Sequence, residues 1–535
     1  DGAGTAAVLA DGGAAIWVAA GDVRRARDAL TCAWLVIDAD DPKSEILLFF
    51  FKVDRIYLNV KHVLYIQYLS SKENHYSGMS WREKVWAVRN ELREIGVDAM
   101  VVTALDEVAW LLNIRGKDIP FAPLFKAFVI ISTRDIRVYA PPGKLSMPVR
   151  DEVNEYTTIY ADLRRATESK ILIPIGGTFQ RGASAAIALS VPQAKRVPQA
   201  SPIIYLKAQK NQAEIKGMKR AHLRDAVAMC TVLSYIEGMV STTQDNILFL
   251  SVADKVDLTR ATQAGYVGLS MRTRVGFGPN GADPDYRPTN ITSRRIFTNS
   301  TMIIQSGGQY DEGTTVVSRT VHYGSPNAAE KRAYTVVLRS LAALSSLAAP
   351  ATLPAAHADP LARAPLWAHK QDYAPPTGHG VGAALNRRED PVVIDYRQDT
   401  NLHYFREGYF INSEPSWQEP NKFGVKLGNV LEVISKPGGY LGFREVTLVP
   451  YEPKLIDKNL LTDYEINWLN AYNEKIRKTV GPELQLQGLT SVYYWMMNKT
   501  VHIDSPRHKP SVNCAISHTA AVGAMAIVMV TIIIT

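Results

Sequence analysis

The sequence predicts a mixed α/β (α+β) protein of two or three domains, and three observations carry that expectation. The chain has 535 residues, more than one hydrophobic core commonly organises. Short apolar runs with strand character alternate with amphipathic helical stretches over most of its length. Its composition, 46% apolar and 21% charged, is that of an ordinary globular protein.

The elements follow in order. Residues 5–20 alternate apolar β-type side chains about an Asp-Gly-Gly turn, as a hairpin does. Residues 21–34 read as a short helix. Glu45–Ser71 is dense in Phe, Ile, Leu and Tyr without glycine or proline, and three readings stay open: a buried helix, an interfacial segment or an exposed aggregation hazard. Ser80–Gly96 predicts an amphipathic helix behind a serine cap. A strand over Asp98–Ala104, a helix from Leu105 and a strand over Ala127–Ser132 continue the α/β rhythm. Ala213–Met239 carries apolar residues at i, i+3, i+4 and i+7, a long helix, and a second helix is expected around Ser251–Gln263. Ile303–Thr320 reads as two short strands about a glycine-containing bend. Ser340–Leu366, rich in alanine and prolines, predicts a helix interrupted by a loop. Leu460–Leu484 is a long helix entered through a Thr-Asp cap, and the chain beyond Lys499 is polar enough for a stalk.

The charge balance, 60 basic against 52 acidic residues, gives +8, a mild basic excess on a solvated surface. No Lys/Arg block is interleaved with aromatics, so nucleic acid is not an expected partner. Cys32, Cys230 and Cys514 are far apart and odd in number, which argues against a disulfide framework or a structural zinc site. Ala520–Thr535 is uncharged and strongly apolar, shorter than the ~20 residues of a spanning helix. With the small residues Asn513, Cys514 and Ala515 before it, this tail fits a GPI-attachment signal with Asn513 as the attached residue; a short tail anchor and an artefact are the other readings. The sequons at Asn290, Asn299 and Asn498 are compatible with secretion, and the expected location is the extracellular face of the plasma membrane. The opening from Asp1 lacks a signal-peptide pattern, so the start is expected to be truncated.

Five blocks carry a family resemblance: Val101–Phe121, Lys210–Ala228, Ser306–Gly324, Thr377–Asn386 and Leu461–Tyr472. In order and spacing they resemble aminopeptidase P, the Xaa-Pro aminopeptidases of the M24 metallopeptidases, over about residues 1–44 and 72–500. The GPI-like tail points to the membrane-bound branch. The resemblance implies creatinase-like N-terminal domains followed by a C-terminal pita-bread fold around a curved antiparallel sheet. The expected division is a truncated or divergent first domain over 1–74, a second creatinase-like domain over 75–203, the pita-bread domain over 204–455, a helical extension over 456–500, and stalk and tail over 501–535. Glu45–Ser71 does not resemble the family and reads as a divergent insertion or a gene-model error.

The resemblance also implies a chemistry. Family members remove an N-terminal residue preceding proline with two divalent metals, manganese or zinc, held by two aspartates, two glutamates and a histidine. In this chain those ligand positions fall on Gln305, Val316, His379, Glu414 and Gly428, so only His379 and Glu414 keep the family's residue type. Three accessory histidine positions fall on Asp285, Pro375 and Arg388. His379 and Glu414 also have plain structural readings, as a glycine-flanked imidazole satisfying local hydrogen bonds and as a structural carboxylate. No cofactor is expected on this mapping. Glu414, buried without metals, would need a cation, and Arg388 or Lys426 is the expected partner in an ion pair. The expected function is a catalytically inactive homologue that binds a proline-containing peptide or a protein, or acts as a scaffold, and the resemblance implies the family's homodimer. The alternatives are a working Xaa-Pro aminopeptidase with an altered metal site, or a decayed copy without a folded product.

Overall fold

The structure is a computed structural model that describes residues 5–9, 15–19, 67–68, 73–145, 153–242, 249–398 (apart from 288, 290, 293 and 294) and 403–506. The chain divides into two compact units, Asp1–Val63 and Leu64–Thr535. In the first, β1 (Thr5–Leu9) and β2 (Ala15–Ala19) form the expected antiparallel hairpin, with Thr5 opposite Ala19. The helix expected over 21–34, most of Glu45–Ser71, Asn290, Asn513 and the apolar tail lie outside the described residues.

The second unit begins with a six-stranded mixed sheet. In chain order its elements are α1 (Trp81–Ile95), β3 (Ala99–Val102), α2 (Leu105–Leu112), β4 (Phe128–Ser132), β5 (Ile136–Ala140), β6 (Val153–Glu155), β7 (Ile171–Pro174), β8 (Arg196–Gln199) and α3 (Ile203–Ala208). The strands lie in the order β8-β7-β3-β4-β5-β6. Helix α1 starts where Ser80 and Glu83 form a reciprocal capping box, and it ends at Gly96 with φ 78°, a left-handed backbone that glycine adopts without strain. Between those caps Trp81, Val85, Val88 and Leu92 recur at helical spacing and are buried in the core of this layer.

The larger part is built on α4 (Gln212–Thr242), α5 (Phe249–Ala261), β9 (Tyr266–Leu269), β10 (Arg274–Phe277), β11 (Met302–Ser306), β12 (Gly308–Tyr310), β13 (Gly313–Thr314), β14 (Val317–Val321) and α6 (Ala328–Ser345). It continues through β15 (Ala348–Pro350), α7 (Asp359–Trp367), β16 (Gly378–Gly380), β17 (Glu389–Ile394), β18 (Phe410–Ser413), β19 (Ser416–Glu419), β20 (Phe423–Lys426), β21 (Asn429–Lys436) and β22 (Tyr440–Glu445), and closes with α8 (Asp463–Leu486) and α9 (Thr490–Lys499). One sheet runs β15-β22-β21-β18-β16-β17 and a smaller one β10-β11-β14, both antiparallel throughout. The apolar side of the smaller sheet packs against α4, α6, α8 and α9 in the largest core among the described residues, while Val392, Ile394, Ile411, Leu431 and Val433 of the six-stranded sheet form a second core with Leu344 of α6 and Ala362 of α7.

Two details depart from the sequence reading. The hairpin over Ile303–Thr320 is four short strand segments rather than two. At Gly307 the chains cross so closely that a Cβ would stand 2.1 Å from the Thr315 carbonyl oxygen, so the strand breaks there and resumes as β12. The run after Lys499, read as a stalk, stays packed as far as Ser505. Ile503 N donates to Asn470 Oδ1 at 2.9 Å, and Ser505 Oγ to Asp463 Oδ1 at 2.5 Å.

A buried charge network joins the N-terminal layer to the larger part. Lys207 Nζ lies 2.8 Å from Glu389 Oε2 and 3.0 Å from Asp106 Oδ2, and Lys210 takes the other oxygen of Glu389. The next residue, Asp390, accepts the backbone N–H groups of Thr178, Phe179 and Gln180 at 3.0–3.1 Å. Burial, then the neighbouring Asp106 carboxylate, pushes the Glu107 carboxyl up to about 8. Glu389→Gln removes the anion from two buried lysines and is expected to cost ~3–5 kcal/mol, read as a lower urea midpoint at pH 7. An unchanged midpoint would show that the network does not hold the layers together.

Candidate active site

The antiparallel register brings together residues distant in sequence. Gln305 lies on β11 opposite Arg274 of β10 and Ser318 of β14. His379, on β16, lies opposite Asn412 of β18, and Glu414 follows directly after that strand. Lys426 ends β20, while Arg387 and Arg388 precede β17. Glu414 is 4% exposed, and its carboxylate is the centre of the group. Gln305 Nε2 donates to Glu414 Oε2 at 2.8 Å, and Lys426 Nζ meets the same oxygen at 2.9 Å. His379 Nε2 and Arg388 face Oε1 at 3.7 and 3.9 Å, beyond direct hydrogen-bond length.

These contacts set the charges. Burial alone would raise the Glu414 carboxyl, but the Lys426 ammonium overrides it and holds the group well below the usual carboxylate range. Burial lowers His379, against the pull of Glu414, so the ring is neutral at pH 7. The Gly380 carbonyl 2.9 Å from Nδ1 then assigns the ring proton to Nδ1. Burial also brings the Arg387 guanidinium down to about 10, Glu414 opposing and Arg388 and Arg274 reinforcing the shift.

Of the residues singled out from sequence, Gln305, His379, Glu414, Arg388 and Lys426 stand around one carboxylate. Val316 stands apart, 1% exposed in an apolar cluster with Ile215, Met218, Met271, Val381 and Phe410. Gly428 is bridged to Ser318, and a Cβ there would come within 3.1 Å of that side chain. Asp285 is exposed, within electrostatic reach of Arg274. The Pro375 carbonyl accepts from Arg363, in another network. Asn299 and Asn498 are exposed, and Cys230 is buried and free. Sequence reasoning missed Arg387 and Arg274. The Arg387-Arg388 doublet was a visible signal for the first; the second needs the β10–β11 register.

Lys426→Met leaves the buried Glu414 carboxylate without its nearest cation and is expected to cost ~3–5 kcal/mol at pH 7. The double variant with Glu414→Gln should regain much of that loss. Because the folded-state pKa of Glu414 is depressed, its contribution is present above the ordinary value of 4.5 and is lost as pH falls through the folded value. The stability gap between the native chain and Glu414→Gln should therefore narrow on acidification below pH 4.5, measured by urea unfolding across pH. A gap that widened there would contradict the assigned ion pair.

Residues 67–214 match the creatinase/prolidase N-terminal domain, 216–435 metallopeptidase family M24, and 439–503 the C-terminal region of the M24 peptidases. The chain is 35% identical to Xaa-Pro aminopeptidase 1 of Dictyostelium discoideum over 440 residues, 80% of this chain and 69% of that one. It is 34% identical to Xaa-Pro aminopeptidase 2 of Sus scrofa over 445 residues, 79% of this chain and 65% of that one. The crystal structure of X-prolyl aminopeptidase from Caenorhabditis elegans, described as a cytosolic enzyme with a di-nuclear active site, superposes with a TM-score of 0.76 at 30% identity, covering 80% of this chain and 72% of that one. These likenesses correct the expectation of no cofactor: M24 is a metallopeptidase family, and metal is its cofactor. The side chains in this site do not assemble a donor set for a metal pair. Val316 and Gly428 offer no side-chain donor, Lys426 and Gln305 hold Glu414, and among the described residues no group of three or more His, Cys, Asp or Glu could hold a metal ion. No reaction step is therefore assigned to a metal here. With its creatinase-type N-terminal layer, its curved antiparallel sheet and these relatives, the chain belongs to the Xaa-Pro aminopeptidases of metallopeptidase family M24.

Proposed function

We propose that this chain binds proline-containing peptides in its pita-bread site without cleaving them, acting as a binding or scaffolding member of the family. The observation that carries the reading is Lys426 Nζ at 2.9 Å from Glu414 Oε2, with Gln305 donating to the same oxygen. An ammonium and an amide hold the charge of the carboxylate. The neutral His379, its proton given to the Gly380 carbonyl, has a lone pair at Nε2 rather than a proton for a leaving group. The architecture that would cradle a peptide is retained, while the acid–base groups are tied up among themselves.

A second reading, hydrolysis of the Xaa-Pro bond, is favoured by relatives near 35% identity that are named Xaa-Pro aminopeptidases. The two separate in one assay. The full chain is incubated with the tripeptide Arg-Pro-Pro and added manganese or zinc, and free arginine is followed by chromatography. The proposal expects release no faster than in a protein-free control. Release that scales with protein and is lost on adding a chelator would establish the aminopeptidase reading instead.

The placement on the outer membrane face through a lipid at Asn513 belongs to the same proposal and is supported by sequence alone. Phosphatidylinositol-specific phospholipase C should free the protein from cells expressing the complete gene. Retention on the membrane would end that part of the proposal.

A further inference from the structure

The cations around Glu414 outnumber the carboxylates available to them. Lys426, Arg388, Arg387 and Arg274 share its field, and Arg287 adds to Arg274. Among the described residues the acids that act on these arginines are Glu414 and the exposed Asp285. Glu414 Oε2 is already taken by Lys426 and Gln305, and Oε1 has Arg388 no nearer than 3.9 Å. Arg387 is the unresolved member. Its Nη1 is buried and has no hydrogen-bond partner. A buried guanidinium nitrogen without an acceptor is costly, and an oxygen from a ligand or an ordered water would complete it.

The loop cannot readily turn Arg387 away. Gly382 N donates to Asn386 O at 3.0 Å, closing the turn that precedes the arginines. Gln309 Nε2 donates to Leu385 O at 2.9 Å, and Leu385 N to Thr314 Oγ1 at 3.2 Å. Arg115 holds the Ala383 and Ala384 carbonyls from the N-terminal layer. Ala384 itself is kept at φ 50°, a left-handed conformation that costs a non-glycine residue on the order of 1 kcal/mol or more and persists where surroundings impose it. Arg388, 45% exposed along its side chain, places the neighbouring guanidinium at the solvent edge.

We propose that Arg387 and Arg388 form the binding site for a small oxyanion, foremost the free carboxylate of a short peptide or dicarboxylate. A planar guanidinium offers two parallel N–H donors to a carboxylate, and Arg274 and Lys426 supply the surrounding field. In this reading the family's cation-binding centre has become an anion-binding one, and the ligand enters with its acidic group first. The inference rests on the reading that the site binds its ligand without cleaving it.

Isothermal titration of the full chain with succinate, and separately with inorganic phosphate, tests it. Saturable binding of succinate that weakens at least tenfold in Arg387→Gln is expected, with thermal unfolding of the variant confirming that it folds. Lys422→Gln, at an exposed surface position, should bind as the native chain does. Saturable binding of phosphate with silence from succinate would keep the oxyanion site and reassign its ligand to phosphate chemistry. No saturation by either probe, or equal binding by Arg387→Gln, overturns the proposal. Cleavage of Arg-Pro-Pro would end the non-cleaving reading whatever the titration gives, and flat titrations beside intact peptide would end the anion site alone.

Discussion

A carboxylate removed from water must be met by positive charge or take up a proton, and the centre of this protein is arranged around that constraint at Glu414. In a metallopeptidase family the charge comes from metal ions. At Glu414 the nearest cation is an ammonium, delivered by the last residue of a short strand, where it lies opposite Ser416 of the neighbouring strand. This arrangement reaches beyond one contact. It stands beside a His379 that burial keeps neutral, with the ring proton turned inward to the Gly380 carbonyl. It also leaves the neighbouring arginines in excess of the acid groups that could pair with them.

Two positions onto which the family resemblance maps metal ligands, Val316 and Gly428, sit in ordinary packing, each in its own way. Val316 joined an apolar cluster with Met218 and Phe410, so the wall on that side is dispersion contact rather than polarity. Gly428 lets β14 and the start of β21 approach until Ser318 and Gly428 exchange backbone hydrogen bonds. Each residue suits its immediate surroundings, and local consistency of this kind is what holds a fold together.

Much of this was legible in the sequence, for reasons that can be named. Helix α1 announced itself because its signal is local: a serine cap, a reciprocal glutamate and a 3.6-residue apolar rhythm lie within one stretch. The meeting of Glu414 with Lys426 was legible only through the family resemblance, since one follows β18 and the other ends β20. Arg274 was not legible at all. Its place opposite Gln305 is set by the β10–β11 register, which depends on contacts far along the chain. The broken hairpin at Gly307 escaped notice because its cause is the close approach of Thr315, eight residues on, and of Ser270, far back in the chain. The expectation about cofactors failed for a different reason: it was drawn from side-chain losses at individual positions of this chain, whereas the family that matches is a metallopeptidase family and the similar solved structure is described as having a di-nuclear active site.

The loop holding Arg387 and Arg388 runs directly into Glu389 and Asp390, which grip Lys207, Lys210 and the backbone of residues 178–180. The seam between the two family regions, near residue 215, is therefore a boundary of ancestry and not of mechanics. Excising the peptidase-like half would strip the site loop of its foundation, and grafting it onto another N-terminal half would require that partner to reproduce two buried lysine contacts and a carboxylate-binding turn. In this protein modular inheritance has produced a part that cannot be traded.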